Sequence, residues 1–155
     1  MGADQMQNAN GNSDSKLLYP ELTEKIIGIY YDVYNELGHG FLESVYCNCM
    51  KLALHTAGLC VQREVPIPVY FRGTDVGQFK ADLIVGHCIL LELKAVQNLD
   101  RSHEAQVMNY LRSTQLEVGL LLNFGAPRPQ FRRFAFANDN KKIRVHPRIS
   151  AVGNS

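Results

Sequence analysis

The chain has 155 residues, 46% of them hydrophobic and 20% charged, and a formal charge of +1. That length predicts one domain with a sizeable core, and the composition excludes collagen, long low-complexity tracts and wholesale disorder. No apolar run reaches the roughly 18 residues of a membrane span, and the N-terminus lacks a secretory pattern. Met6 stands where a myristoylation signal wants Ser or Thr.

The near-neutral charge is a sum of opposed parts. Residues 1–126 carry 9 basic and 14 acidic side chains. Residues 127–155 carry Arg128, Arg132, Arg133, Lys141, Lys142, Arg144 and Arg148 against Asp139 alone. Such a segment either approaches a polyanion or solubilises a tail. Cys47, Cys49, Cys60 and Cys88 form no C-x-x-C pair and have no His cluster beside them, which argues against zinc or iron–sulfur. Free thiols in a reducing cytoplasm fit them best.

Residues 1–15 are polar and are expected to be disordered, followed by a domain over 16–137 and a basic tail over 138–155. Leu22, Ile26, Ile29, Tyr30, Val33 and Leu37 recur at helical spacing, with Pro20 just inside the start and Gly38 past the end. A second helix runs from about 42 to 56, with Val45, Cys49, Leu52 and Ala53 expected inward and Gly58 closing it. Residues 61–71 alternate, but Pro66 and Pro68 limit them to an edge or bent strand. After a turn at 72–75, residues 78–85 form a strand, Gly86-His87 a tight turn, and 88–96 an almost wholly apolar strand. These three strands read as a meander. Asp100 or Ser102 caps a third helix near 103–114. Strands follow at 119–124 and 131–137. The order α-α-β-β-β-α-β-β indicates an α/β fold, a mixed sheet flanked by helices.

The strand at 88–96 carries charges where a central strand should have none. Glu92 and Lys94 lie two apart and share a face. Pairing through the Gly86-His87 turn brings Asp82 near Glu92. Two carboxylates on one half-buried face repel each other unless a cation sits between them. Magnesium fits, since it takes a few carboxylate oxygens plus waters. A salt-bridge cluster without chemistry fits as well. Glu43 and Tyr46 share a face of helix two; Gln106 and Tyr110 share one of helix three. The five histidines are scattered, and His103 is the one that could face the same cleft.

Gly40-Phe41-Leu42-Glu43-Ser44-Val45-Tyr46 is G-x-x-E-x-x-Y. It resembles the GxxExxY protein family, a branch of the PD-(D/E)XK nuclease-like superfamily. The resemblance continues through Phe79–Val85, Leu91–Val96, His103–Leu111 and Gly119–Gly125, covering about residues 22–136. Lys80, where Arg is expected, and Gly86-His87-Cys88 depart from the pattern. The resemblance implies a restriction-endonuclease-like fold and Mg²⁺- or Mn²⁺-dependent phosphodiester hydrolysis. Asp82 and Glu92 then match the metal-binding carboxylates and Lys94 the lysine that orients water. Glu43 matches an additional helix carboxylate, the Leu93 carbonyl a further metal ligand, and Gln106 and Tyr110 the Gln-x-x-x-Tyr element of RecB-type nucleases.

Three readings follow. In the first, a nuclease cleaves DNA or RNA, with Arg128, Arg132, Arg133, Lys141, Lys142 and Arg144 neutralising phosphates. In the second, a non-catalytic module keeps the fold and binds nucleic acid. In the third, the domain binds protein only. A small nuclease of this kind often forms a homodimer, but no sequence feature marks an interface.

Overall fold

The computed structural model describes residues 19–141. The expected polar N-terminus and the basic residues Lys142, Arg144 and Arg148 lie outside that range. Within it come α1 (Pro20–Leu37), α2 (Glu43–Thr56), β1 (Val61–Phe71), β2 (Thr74–Val85), β3 (Ile89–Lys94), α3 (Arg101–Arg112), β4 (Val118–Asn123) and β5 (Gln130–Ala135). This is the element order expected from the sequence.

Pro20 opens α1, where its missing N–H is no loss. α2 closes on a glycine reversal. Gly58 takes φ +86°, and its N–H donates to His55 O at 2.9 Å while Leu59 N donates to Leu54 O at 3.1 Å. The inward face of α2 differs from expectation. Tyr46, Cys47, Met50 and Leu54 are buried, whereas Leu52 is 68% exposed. The helix turns to seat its bulkier side chains, and the Tyr46 ring stacks on Phe124 with centroids 4.3 Å apart.

The sheet order is β1-β2-β3-β4-β5. The first three strands are antiparallel neighbours, the expected meander. Arg72 and Gly73 link β1 to β2 with φ of 52° and 80°, the double left-handed turn that suits a twisted hairpin. β3 and β4 run parallel, with α3 as their crossover, and β5 returns antiparallel to β4. β1 stays at the edge, where Pro66 and Pro68 can omit ladder bonds.

Each face of the sheet has its own core. Ile26, Tyr30, Val33 and Tyr34 of α1 and Tyr46, Met50 and Leu54 of α2 pack on Leu83, Val85, Leu91, Leu93, Leu120 and Leu122. On the other face Val107 of α3 packs with Ile67, Ala81, Ile84, Leu90 and Leu121. Gly119 lets α3 sit close: a Cβ there would meet Val107 at 3.0 Å. With layers on both sides, β3 is buried from Ile89 to Leu93.

A polar lattice fixes the far ends of β3 and β4. Asn123 is fully buried, and its Oδ1 accepts from Val96 N and Gly125 N, both at 3.0 Å. Its Nδ2 donates to Val96 O and Gln130 Oε1, both at 2.9 Å. Tyr30 reaches in from α1, donating to Asn123 O at 2.5 Å and accepting from Gln130 N at 2.8 Å. Tyr34 donates to Ala126 O.

The start of the basic tail belongs to the packed body. After β5 the chain turns at Asn138–Asn140. Lys141 is then buried, its Nζ donating to Thr114 O and Leu116 O, both at 2.8 Å.

Candidate active site

The site begins where two strands part. The β2–β3 register pairs Val85 with Ile89, Ile84 with Leu90 and Leu83 with Leu91, and goes no further. One more step would set Asp82 opposite Glu92. Instead Asp82 Oδ2 accepts the Leu93 amide at 2.8 Å. The N–H and C=O of a strand residue point to the same edge, so the Leu93 carbonyl faces the same gap. Meanwhile β2 stays paired with β1 as far as Phe71 and Thr74, so the outer hairpin continues as a two-stranded ribbon.

Alternation puts Glu92 and Lys94 with Leu90 on the α3 face. In β2 both Ala81 and Ile84 pack on that face while Leu83 packs on the other, so the alternation breaks beside Asp82. Glu92 is only 4% exposed, and its Oε1 is buried without a hydrogen-bond partner among the described residues. Burial first, and the Asp82 charge second, push its carboxyl up to about 8, with Lys94 opposing. Asp82 is half-buried, and burial raises it too, against the lowering effects of the Leu93 amide, Lys94 and Arg63. Lys94 is half-buried.

Glu43 opens α2, in the helix layer on the other face, and is exposed. Desolvation and the Asp82 charge raise its carboxyl, while Lys94 and His103 lower it, so its charge is felt across the gap. Among the described residues, no group of three or more His, Cys, Asp or Glu side chains is arranged to hold a metal ion. The donors the strands bring together are therefore two carboxylates and a main-chain carbonyl, with Glu43 further out.

α3 supplies the opposite wall. Asp100 caps it, accepting from Ser102 N at 2.9 Å and His103 N at 3.2 Å, and His103 Nδ1 accepts Asp100 N at 3.0 Å. His103 thus serves the cap while its ring stands near Glu43. Gln106 Nε2 donates to Tyr110 Oη at 2.5 Å. Burial and the Glu92 charge raise the Tyr110 phenol, and its ring stacks on Phe79 at 3.7 Å. Gln106 and Tyr110 thus form one unit beside the carboxylates.

Sequence reasoning missed Arg63. It lies on β1 opposite Leu83, bonds Asn48 through Nη1, and places its charge on Asp82 and Cys47. The signal was available in the hairpin register, which makes Arg63 a neighbour of the residue after Asp82.

The basic residues chosen for phosphate contact divide. Arg128 is exposed. Arg132 is exposed but pairs with Glu104 at 3.3 Å. Arg133 is half-buried, and burial lowers its guanidinium. Lys141 is a correction: both carbonyl bonds hold its ammonium inside, and burial lowers it to about 8. Lys142 and Arg144 lie outside the described residues.

The family model for the PD-(D/E)XK nuclease superfamily matches residues 20–134. The chain belongs to that superfamily, and its α/β fold is restriction-endonuclease-like. No curated protein matches the chain. One solved structure, titled "Crystal structure of SSO0001", is similar at 17% identity and a TM-score of 0.47. It covers 72% of this chain, and this chain spans 59% of that one.

Proposed function

We propose that the chain is a nuclease of the GxxExxY type that hydrolyses phosphodiester bonds in DNA or RNA with Mg²⁺ or Mn²⁺. The observation that carries this reading is the orphaned oxygen of Glu92. A carboxylate oxygen buried beside a second carboxylate, with no donor, is costly unless a cation completes it.

The residues fit a hard divalent ion, which accepts a few carboxylate and carbonyl oxygens and keeps waters. Asp82, Glu92 and the Leu93 carbonyl would hold it, and Glu43 would act directly or through a water. Bound there, the ion supplies an activated water and charge stabilisation at the scissile phosphate. Lys94 orients the attacking water and faces the developing negative charge. Tyr110, fixed by Gln106 and Phe79, positions a phosphate oxygen. Exposed Arg128 contacts flanking phosphates. The free cysteines suit a reducing cytoplasm. No helix among the described residues is long and apolar enough to cross a membrane.

The test is cleavage of a panel of single- and double-stranded DNA and RNA with Mn²⁺, Mg²⁺ or EDTA. Metal-dependent cleavage by the wild type and none by Lys94→Ala is expected. Equal cleavage by both overturns the assignment. Metal-independent binding without cleavage identifies a non-catalytic nucleic-acid module instead.

A further inference from the structure

Phe41 and Leu42 stand immediately before Glu43, yet Phe41 is 49% exposed and Leu42 75% exposed. Single exposed apolar residues are ordinary, but two adjacent ones at the mouth of a charged site call for a role. The Phe41 ring is also held in place. Its amide donates to Tyr46 Oη at 3.1 Å, and Tyr46 donates onward to Gly38 O at 2.5 Å. Tyr46 itself is fully buried, and the Phe41 ring stands edge-on to it, centroids 5.9 Å apart at 79°. The loop before it reverses at Gly38 and Gly40, with φ of 71° and 119°. An aromatic ring preset in this way loses little entropy when a flat ligand covers it.

The position says which ligand. Tyr46 stacks on Phe124 with centroids 4.3 Å apart, and Phe124 N donates to Lys94 O at 2.8 Å, so the first turn of α2 lies at the end of β3 that carries the site. Phe41 lies two residues away, within about 8 Å along the chain. Resting on the nuclease reading, the groups flanking a phosphate held there are nucleosides. The apolar surface beside the carboxylates therefore meets a base or a sugar. A base inside a duplex has both faces covered by its neighbours, whereas an unpaired base has a face to offer.

We propose that Phe41, with Leu42 beside it, is a stacking platform for an unpaired nucleobase next to the scissile phosphate. The substrate is then single-stranded nucleic acid rather than intact duplex.

The test uses the full chain in EDTA and oligonucleotides carrying one 2-aminopurine, as DNA and as RNA, single-stranded and in blunt duplex. Stacking quenches or shifts the 2-aminopurine signal. The wild type is expected to bind single strands more tightly than duplex, with a signal change. Phe41→Ala and Phe41→Leu should weaken that binding by about tenfold and remove the signal change. Phe41→Tyr should preserve both, and circular dichroism melting confirms that each variant folds. Comparing the DNA and RNA arms tells which backbone is preferred. The platform is overturned by equal affinity and signal in wild type, Phe41→Ala and Phe41→Leu, or by tighter binding of blunt duplex. Adding Mn²⁺ separates the two ideas. Cleavage with no Phe41 dependence removes the platform alone, and Phe41-dependent stacking without cleavage removes hydrolysis alone.

Discussion

The Asp82 carboxylate accepts the Leu93 amide at 2.8 Å, in the place a β2 carbonyl would take if the pairing of Leu83 with Leu91 continued. A side chain thus ends the ladder and satisfies the edge it leaves behind. The parting of the strands leaves the Asp82 carboxylate and the Leu93 carbonyl outside the ladder, beside the buried Glu92.

Asp82→Asn and Asp82→Ala should therefore separate structure from chemistry. Asn keeps an oxygen for the Leu93 amide, and Ala does not. Ala should cost about 1–2 kcal/mol in urea unfolding, with Asn near wild type. Both should lose Mn²⁺-dependent cleavage. Retained activity in Asp82→Asn would remove Asp82 from the metal site.

Glu92 sets the pH dependence. Its carboxyl titrates near 4.5 when unfolded and near 8 when folded. Between those values the folded state holds a proton that the unfolded state has lost. Metal-free stability therefore falls as pH rises from about 4.5 to about 8. Glu92→Gln should flatten that fall and raise Tm by roughly 5 °C at pH 9. Mn²⁺ should raise Tm for the wild type and not for the variant. Parallel pH profiles for the two proteins would count against this placement of Glu92.

Asn123→Ala removes all four side-chain hydrogen bonds that tie Val96, Gly125 and Gln130 together. A loss of about 3 kcal/mol is expected from equilibrium urea denaturation, because the freed main-chain groups stay buried. A change below about 1 kcal/mol would show that water substitutes for the amide.

Much of this was legible beforehand. Helical spacing in α1, proline in β1 and the apolar run of β3 fixed the order of elements. Glu92 and Lys94 stood out because a central strand has no reason to carry charge. What periodicity could not weigh was size. On α2 it favoured Leu52, whereas Tyr46 stacking on Phe124 decided the rotation. Composition could not separate Lys141 from its basic neighbours, since only the position of the Thr114 and Leu116 carbonyls makes it internal. The parting of β2 from β3 has no signature in residue types, because it rests on one side chain replacing a ladder bond.

Gly125→Ala should be among the most damaging single changes. A Cβ there would sit 2.3 Å from Val96 N and 2.5 Å from Val96 O, where only main chain can move. Poor soluble expression or a Tm loss of roughly 10 °C or more is expected. A near-wild-type melt would mean that the segment after β3 shifts freely.

Lys141→Ala and Arg128→Ala should behave oppositely. Lys141→Ala should cost about 1–3 kcal/mol of stability by leaving two carbonyls unpaired, with single-strand affinity unchanged. Arg128→Ala should leave Tm unchanged and reduce the salt slope of binding by about one unit. Reversed outcomes would return Lys141 to the surface that meets phosphate.

Tyr30 contributes no group to the chemistry, yet its hydroxyl joins α1 to the ends of β4 and β5. Lys94 lies in register with Asn123, the residue whose carbonyl Tyr30 holds. The angle at which the lysine approaches the carboxylates is thus set partly by a helix on the opposite face of the sheet. On the proposed nuclease reading, turnover should respond to substitutions along α1 that tilt the helix without altering a single charged residue.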